Sequence, residues 1–224
     1  NSKRNKITEK YMKLFDYLNY SIHTTYRRKS IDMFLSKNKK YLKGYVLDIG
    51  GGKKAGNFTT PKNKKWVIAD ISKDSNSDII ASVEKLPFKN NTFDAVKATE
   101  LFEHVQNVEK GFFECVRVLK KGGYLVISSP FMFPLHADPY DYQRIAAQKW
   151  LLMSKKNNLK IIKLIEQGYV FNLIAEVFKI MIVNIRFTPL RYIMYSLLPL
   201  LDLIEKLDHT RLIKNSSVLN KFVG

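Results

Sequence analysis

The feature that most constrains the fold is a series of short apolar runs, each closed by a turn former. They are Tyr45–Ile49, Trp66–Ala69, Asp78–Ala81, Phe93–Ala98 and Tyr124–Ser128, bounded by Gly, Pro, Asn or Asp. Runs this short, apolar throughout rather than alternating, read as strands buried on both faces. Between the last two, residues 107–120 carry helical spacing and end at Gly122-Gly123, which reads as a helix C-cap. Strands alternating with helices predict an α/β fold: a mostly parallel, Rossmann-like sheet with helices on both faces.

Other segments frame this core. Residues 5–20 and 23–40 place apolar residues at helical spacing, so two N-terminal helices are expected. Residues 130–144 are rich in Pro and aromatics and read as an ordered loop, 145–156 as a helix and 159–166 as a further strand. Residues 170–207 are strongly apolar, but Glu176, Lys179, Arg186 and Arg191 interrupt them and Pro189 and Pro199 break them. No segment offers the roughly 18 clean apolar residues of a membrane span. Two ordinary helices packing on the sheet are expected there. An interfacial surface, apolar with Arg and Lys at its edges, is the alternative. The domain reading is N-terminal helices over 1–42, a core over 43–168, and a helical region over 169–224 completing the same domain.

Composition narrows the partners. Hydrophobic residues make up 46% of the 224, enough for a core. Lys and Arg number 38 against 20 Asp and Glu, a formal charge of +18. That charge admits a nucleic acid, an anionic membrane surface or an acidic substrate, and equally a lysine-rich solvated surface, because the lysines are scattered. Cys115 is the only cysteine, which excludes an intramolecular disulfide and a Cys-based zinc site; no metal site is expected. The first residues are polar and charged, with no apolar leader. Both points fit a reducing, cytoplasmic setting, with peripheral membrane contact as an option.

The stretch "VLDIGGGKKAG", residues 46–56, runs from a strand into a glycine cluster, where a ligand approaches bare backbone. Gly50-x-Gly52-x-x-Ala55 fits the dinucleotide fingerprint. A pyrophosphate fits poorly, however. Asp48 would repel it, and residues 53–65, with Gly56 and Pro61, make poor material for the helix whose N-terminus must face the phosphates. A ligand with an ammonium group and no phosphate turns Asp48 into an attraction. Asp70, 22 residues on at the end of the second strand, can accept hydrogen bonds from both hydroxyls of a ribose. An amino acid joined to a nucleoside satisfies both ends, which describes S-adenosylmethionine.

Six pieces then occur in order: "VLDIGGG", "VIADIS" (67–72), "DIIASVEKLPFKNNTFDAV" (78–96), "ATELFEHV" (98–105), "RVLKKGGYLVISSP" (117–130) and "HADPYDYQR" (136–144). With this spacing the chain resembles class I S-adenosylmethionine-dependent methyltransferases of the methyltransferase type 11 group, over about Tyr45 to Trp150. The resemblance implies that Asp48, Gly50, Gly51 and Gly52 contact the methionine moiety, Asp70 the ribose, and Ile71, Ser82 and Val83 the adenine. It also implies that Thr99 and Glu100 close over the cofactor, that Glu103 and His104 are structural, and that S-adenosylhomocysteine is the product. Lys54 stands where the family has its third glycine, Ser82 where it has an acid, and Lys121 where it has a proline. The segment 53–65 implies an abbreviated first helix.

The segment "PLHADPYDYQR" follows the fifth strand, beside the edge where substrates enter such sheets. His136 is the candidate catalytic base for a hydroxyl acceptor. Asp138, Tyr142 and Arg144 are candidate substrate contacts; the other reading is that these residues fix the loop to the core. The "HADPYDYQR" form resembles a subgroup associated with polysaccharide and glycan assembly. It implies O-methylation of a small-molecule or glycan hydroxyl, with a lipid-linked sugar as one option. RNA methylation is an alternative supported by charge alone, and a non-catalytic scaffold with a worn cofactor pocket is another. The final antiparallel strand of such a fold is expected to be missing or stunted, because "NKFVG" (220–224) ends at its entry.

Overall fold

A computed structural model describes residues 20, 22–51, 58, 65–135 and 140–210. The chain divides into two compact units. One comprises residues 31–166, the other 1–30 with 167–224.

Among the described residues, the first unit holds a five-stranded, wholly parallel sheet in the order β3-β2-β1-β4-β5. Its strands are β1 (Val46–Ile49), β2 (Trp66–Asp70), β3 (Ile79–Ile80), β4 (Phe93–Thr99) and β5 (Leu119–Ser128). Strand alternation sorts their side chains onto two cores. Leu47, Ile49, Val96 and Ala98 face one side, against Phe112, Cys115 and Val118 of α2 (Val108–Val118) and Met153 of α3 (Ala147–Lys156). Val46 and Ala95 face the other, against Ile31 and Leu35 of α1 (Tyr26–Lys37). The sheet is therefore covered on both faces, as its near-continuous apolar strands require. This is the Rossmann-like α/β architecture that the run spacing predicts.

Helix α2 starts where Asn107 accepts a hydrogen bond from the Lys110 N–H at 3.0 Å, an N-cap. Its end differs from the expectation. Gly122-Gly123 is not a helix C-cap: the helix stops at Val118, and Leu119 already pairs with Phe93 across the sheet. The next pairing is Ala95 with Tyr124, so the intervening residues form a bulge in β5. Gly122 takes φ +77°, and a Cβ on Gly123 would meet the Asp94 carbonyl oxygen at 2.8 Å. The glycines serve the bulge because burial of Leu119 draws the chain into the sheet first.

Residues 159–166 do not form the expected strand; Ile162, Leu164 and Ile165 are exposed. The sheet ends at β5, and no described strand lies beside this run to take its backbone hydrogen bonds. The expected helix over 5–20, the entry to a last strand at 220–224 and the abbreviated helix over 53–65 lie outside the described residues, apart from Tyr20, Phe58 and Lys65.

In the second unit the apolar stretch folds into three helices rather than two: α4 (Val170–Val183), α5 (Thr188–Tyr195) and α6 (Leu198–Lys206). Pro189 and Pro199 sit in the first turns of α5 and α6, where a missing N–H costs nothing. Tyr26, Ala175, Ile182, Leu198 and Leu201 form the core of this unit. Asp208 caps α4, accepting the N–H groups of Tyr169, Phe171 and Asn172 at 2.7–3.0 Å. Lys179 is buried beside Glu176, donates to the Thr24 carbonyl at 2.6 Å and lies over the Tyr26 ring. Burial, with Lys29 nearby, pulls its ammonium down to about 8, while Glu176 and Asp202 pull the other way. A lysine whose folded pKa lies below its unfolded value weakens the fold while protonated, and that cost fades as pH rises between the two values. Relative to Lys179→Met, the native protein should gain roughly 3 kcal/mol of stability across this window. Urea unfolding of the two proteins at a series of pH values reads the difference; a flat difference curve would count against the buried ammonium.

Candidate functional site

The strand order reverses between β1 and β4: from β1 the chain winds outward through β2 and β3, then crosses to β4. In doubly wound sheets the crevice at the carboxyl ends of two such strands is the ligand site. The sheet brings to that edge the turn Gly50-Gly51 after β1, Asp70 at the end of β2 with Ile71 beyond it, and Thr99 at the end of β4 with Glu100 beyond it. These are six of the predicted cofactor residues, drawn from three separated stretches of sequence.

The glycine turn is tightly built. Gly50 takes φ +74°, donates its N–H to the Ala69 carbonyl at 2.8 Å, and packs against Leu101. Only glycine holds that backbone without strain. A Cβ on Gly51 would come within 2.5 Å of the Asp48 carboxyl carbon. Asp48 therefore lies directly beneath the turn, and it is wholly buried. Its register partner on β4 is Lys97, whose Nζ donates to Oδ1 at 2.7 Å. Lys97 is buried too, with its ammonium 5.9 Å from the centre of the Phe58 ring. Asp48 stands where the sequence predicts, but its charge is met by a cation of the chain itself. What it offers a ligand is the shape of the turn above it.

Lys97 is the residue that the sequence reading missed. Its signal was present: a lone lysine inside the apolar run 93–98, and a buried ammonium needs an anion. Only the strand register reveals which anion.

Asp70 ends β2 half-buried. Oδ1 accepts the Ser72 N–H at 2.9 Å, an Asx turn that orients the carboxylate, and Oδ2 takes no hydrogen bond among the described residues. Ile71 beside it is 66% exposed, an apolar flank for a planar ring. Ser82 is spent in part on a local turn, its Oγ accepting the Glu84 N–H at 3.2 Å. The Val83 side chain points into the core against Gly111, so this residue can meet a ligand through its backbone alone.

At the end of β4, Thr99 is buried and Glu100 adopts φ +54°, a left-handed conformation that strains a non-glycine residue. Two hydrogen bonds hold it there: its N–H donates to the Ser128 carbonyl at 3.0 Å, and Ser128 Oγ donates to its Oε1 at 2.8 Å. The β4 terminus is thus locked to that of β5 beside the crevice.

The loop after β5 is anchored to the same region. The Tyr142 N–H donates to the Glu103 carbonyl at 2.8 Å, and Gln143 Nε2 donates to the Val105 carbonyl at 2.5 Å. His104 Nδ1 lies 2.5 Å from the Tyr140 carbonyl; that oxygen only accepts, so Nδ1 carries the proton. Arg144 pairs with Asp141 and reaches the Phe133 and Pro134 carbonyls at 3.4 and 3.5 Å. Its hydrogen bond to Asp141 raises its pKa further above the ordinary arginine value. Arg144 therefore ties the loop together, and its guanidinium is largely committed. Tyr142, 48% exposed, keeps its ring available. His136, Asp138, Gly52 and Lys54 lie outside the described residues.

This edge offers a glycine turn whose space a Cβ would fill, a half-buried carboxylate with one oxygen outside the Asx turn, and an exposed apolar side chain. Residues 47–127 match the family model described as "Methyltransferase domain", and S-adenosylmethionine is the donor that such a domain implies. The ubiquinone/menaquinone biosynthesis C-methyltransferase UbiE of Cronobacter sakazakii is 30% identical over 164 residues, covering 61% of this chain and 62% of its own length. The protein of the same name from Pasteurella multocida is 30% identical over 155 residues, covering 58% and 55%. This chain thus spans less than two thirds of the length of these relatives. Among solved structures, the cyclase SpnF superposes with a TM-score of 0.50 at 18% identity, covering 80% of this chain and 76% of its own. That likeness shows the fold, which in SpnF carries a different named chemistry.

Proposed function

We propose that this chain binds S-adenosylmethionine at the carboxyl edge of its sheet and transfers the methyl group to a hydroxyl of a small molecule or glycan. The observation that carries the reading is the convergence of the Gly50-Gly51 turn, Asp70 with Ile71, and Thr99-Glu100 on the strand-order reversal. Asp70 accepts the ribose hydroxyls through Oδ2, Ile71 flanks the adenine, and the bare backbone at Gly50-Gly51 admits the methionine moiety. Ser82 has one hydrogen bond to offer an exocyclic amine. The bound cofactor supplies an electrophilic methyl on a sulfonium. The protein's own work is to align the acceptor in line with that methyl and to keep water out. In this reading His136 takes the proton from the acceptor hydroxyl, and the exposed Tyr142 ring packs on the acceptor.

A second reading, transfer to carbon, is favoured by the names of the curated relatives. Both readings share the cofactor site and differ in the bond formed. The test supplies labelled S-adenosylmethionine with a panel of sugar and aromatic hydroxyl acceptors, then identifies the methylated atom by carbon NMR. An O-methyl product, with His136→Ala lowering kcat while cofactor affinity holds, is the expected result. A C-methyl product transfers the assignment to the second reading. Cofactor binding without transfer to any acceptor would sink the proposed acceptor class.

A further inference from the structure

Helix α4 is amphipathic in the reverse of the ordinary sense. The side chains it buries are Asn172, Ala175, Glu176, Lys179 and Ile182, three of them polar or charged. The side chains it exposes are Ile174, Val177, Phe178 and Met181, which fall at i, i+3, i+4 and i+7 and form one apolar stripe. Phe178 is 50% exposed and Met181 61%. A surface helix normally turns such a stripe inward. Helix α6 also shows apolar side chains to solvent: Leu200 and Leu203 stand out from it, as does Leu207 just past its end, while Leu198 and Leu201 enter the core of the unit. On α5, Tyr192 and Ile193 are each 65% exposed. Single exposed apolar residues need no explanation, but stripes on consecutive helices do.

The charges identify what covers them. Among residues 170–210 the acids are Glu176, Asp202, Glu205 and Asp208, and each takes a hydrogen bond from within the unit. Glu176 accepts the Tyr26 N–H, Asp202 the Tyr26 hydroxyl, Glu205 the Asn172 amide and Asp208 the start of α4. Glu176 and Asp208 are buried, Asp202 and Glu205 are half-buried like Arg191, and Arg186 and Lys206 are exposed. The fully exposed charges among these residues are thus Arg186 and Lys206, both positive and set among apolar side chains. No described helix is long and apolar enough to cross a membrane. The 14 residues of α4 reach about 21 Å, short of a hydrocarbon core of about 30 Å.

We infer that α4, α5 and α6 form a docking surface for an anionic lipid bilayer. The apolar stripes sink into the interfacial layer, and Arg186, Arg191 and Lys206 meet lipid phosphates. This inference stands apart from the methyl-transfer reading, since none of these residues belongs to the cofactor edge.

The experiment is co-sedimentation of the full chain with phosphatidylcholine vesicles, with and without 30 mol% phosphatidylglycerol, where the proportion is on the order of that in acidic membranes. Binding to the anionic vesicles that weakens with salt is expected. The double variant Phe178→Ser/Met181→Ser should lose at least about tenfold in partitioning, and Arg186→Gln about fivefold on anionic vesicles only. All these side chains are exposed, so circular dichroism should be unchanged. Three outcomes overturn the inference: no binding to anionic vesicles, as when another segment covers the stripes; binding that ignores the double variant; or a dimer by light scattering that the double variant dissociates, which would assign the face to a second copy. Cofactor titration on the same samples separates this result from the fate of the methyl-transfer reading.

Discussion

Replacing Lys97 with methionine is expected to lower stability by about 3–5 kcal/mol, the cost of leaving a buried carboxylate without its partner. Asp48 is wholly buried, and Lys97 Nζ lies 2.7 Å from it. With the ammonium gone, the charge beneath Gly51 loses a cation 2.7 Å away inside a sheet covered on both faces. Against a typical domain stability of about 5–15 kcal/mol, that is a large fraction. The paired replacement Asp48→Leu/Lys97→Met should recover most of the loss, because two apolar side chains of similar volume carry no uncompensated charge. Guanidinium unfolding of the two single variants and the double variant, with a constant m-value, measures the coupling. A single variant within 1 kcal/mol of the native protein, roughly the level of a surface pair, would mean that the pair is solvated and the buried-pair account is wrong.

The second large effect concerns Asp70. Asp70→Ala should weaken S-adenosylmethionine binding on the order of a hundredfold, because two hydroxyl donors lose a charged acceptor worth about 1.5–3 kcal/mol per hydrogen bond. Asp70→Asn separates ligand from scaffold. Its side-chain oxygen can still take the Ser72 N–H, which keeps the Asx turn, while its amide offers donors where an acceptor is needed. Asparagine should therefore fall close to alanine in calorimetric affinity while matching the native protein in thermal unfolding without ligand. Unchanged affinity in both variants would remove the ribose from this carboxylate and with it the orientation proposed for the cofactor.

Much of the fold was legible because it rests on local signals. The five apolar runs became five parallel strands, since a sheet covered on both faces needs runs without alternation. The helical spacing over 107–120 marks α2, and the breaks expected at Pro189 and Pro199 fall in the first turns of α5 and α6. The misreadings share one cause. Gly122-Gly123 looks like a helix C-cap, yet Leu119 pairs with Phe93 before the glycines are reached. Residues 159–166 have strand-like content, yet no described strand lies beside them. Each outcome was decided by a neighbour far along the chain, which a local pattern does not contain.

The candidate site divides in the same way. The glycine cluster and Asp70 could be read from their positions after apolar runs, because a strand's carboxyl end is where a doubly wound sheet presents backbone and side chains to a ligand; Ile71, Thr99 and Glu100 came only from the family resemblance. The order of those runs in the sequence determined that these residues meet. Tertiary structure alone decided what each can do there. Register put Lys97 beside Asp48 and neutralised it; packing turned the Val83 side chain into the core; an ion pair with Asp141 committed Arg144 to its loop. On α4, burial of Glu176 and Lys179 left the apolar stripe outside, where residue spacing alone would have turned it in. Spacing along the chain determines which side chains share a face. Which face is buried, and which charge meets which, depends on the free energy of the whole packed unit.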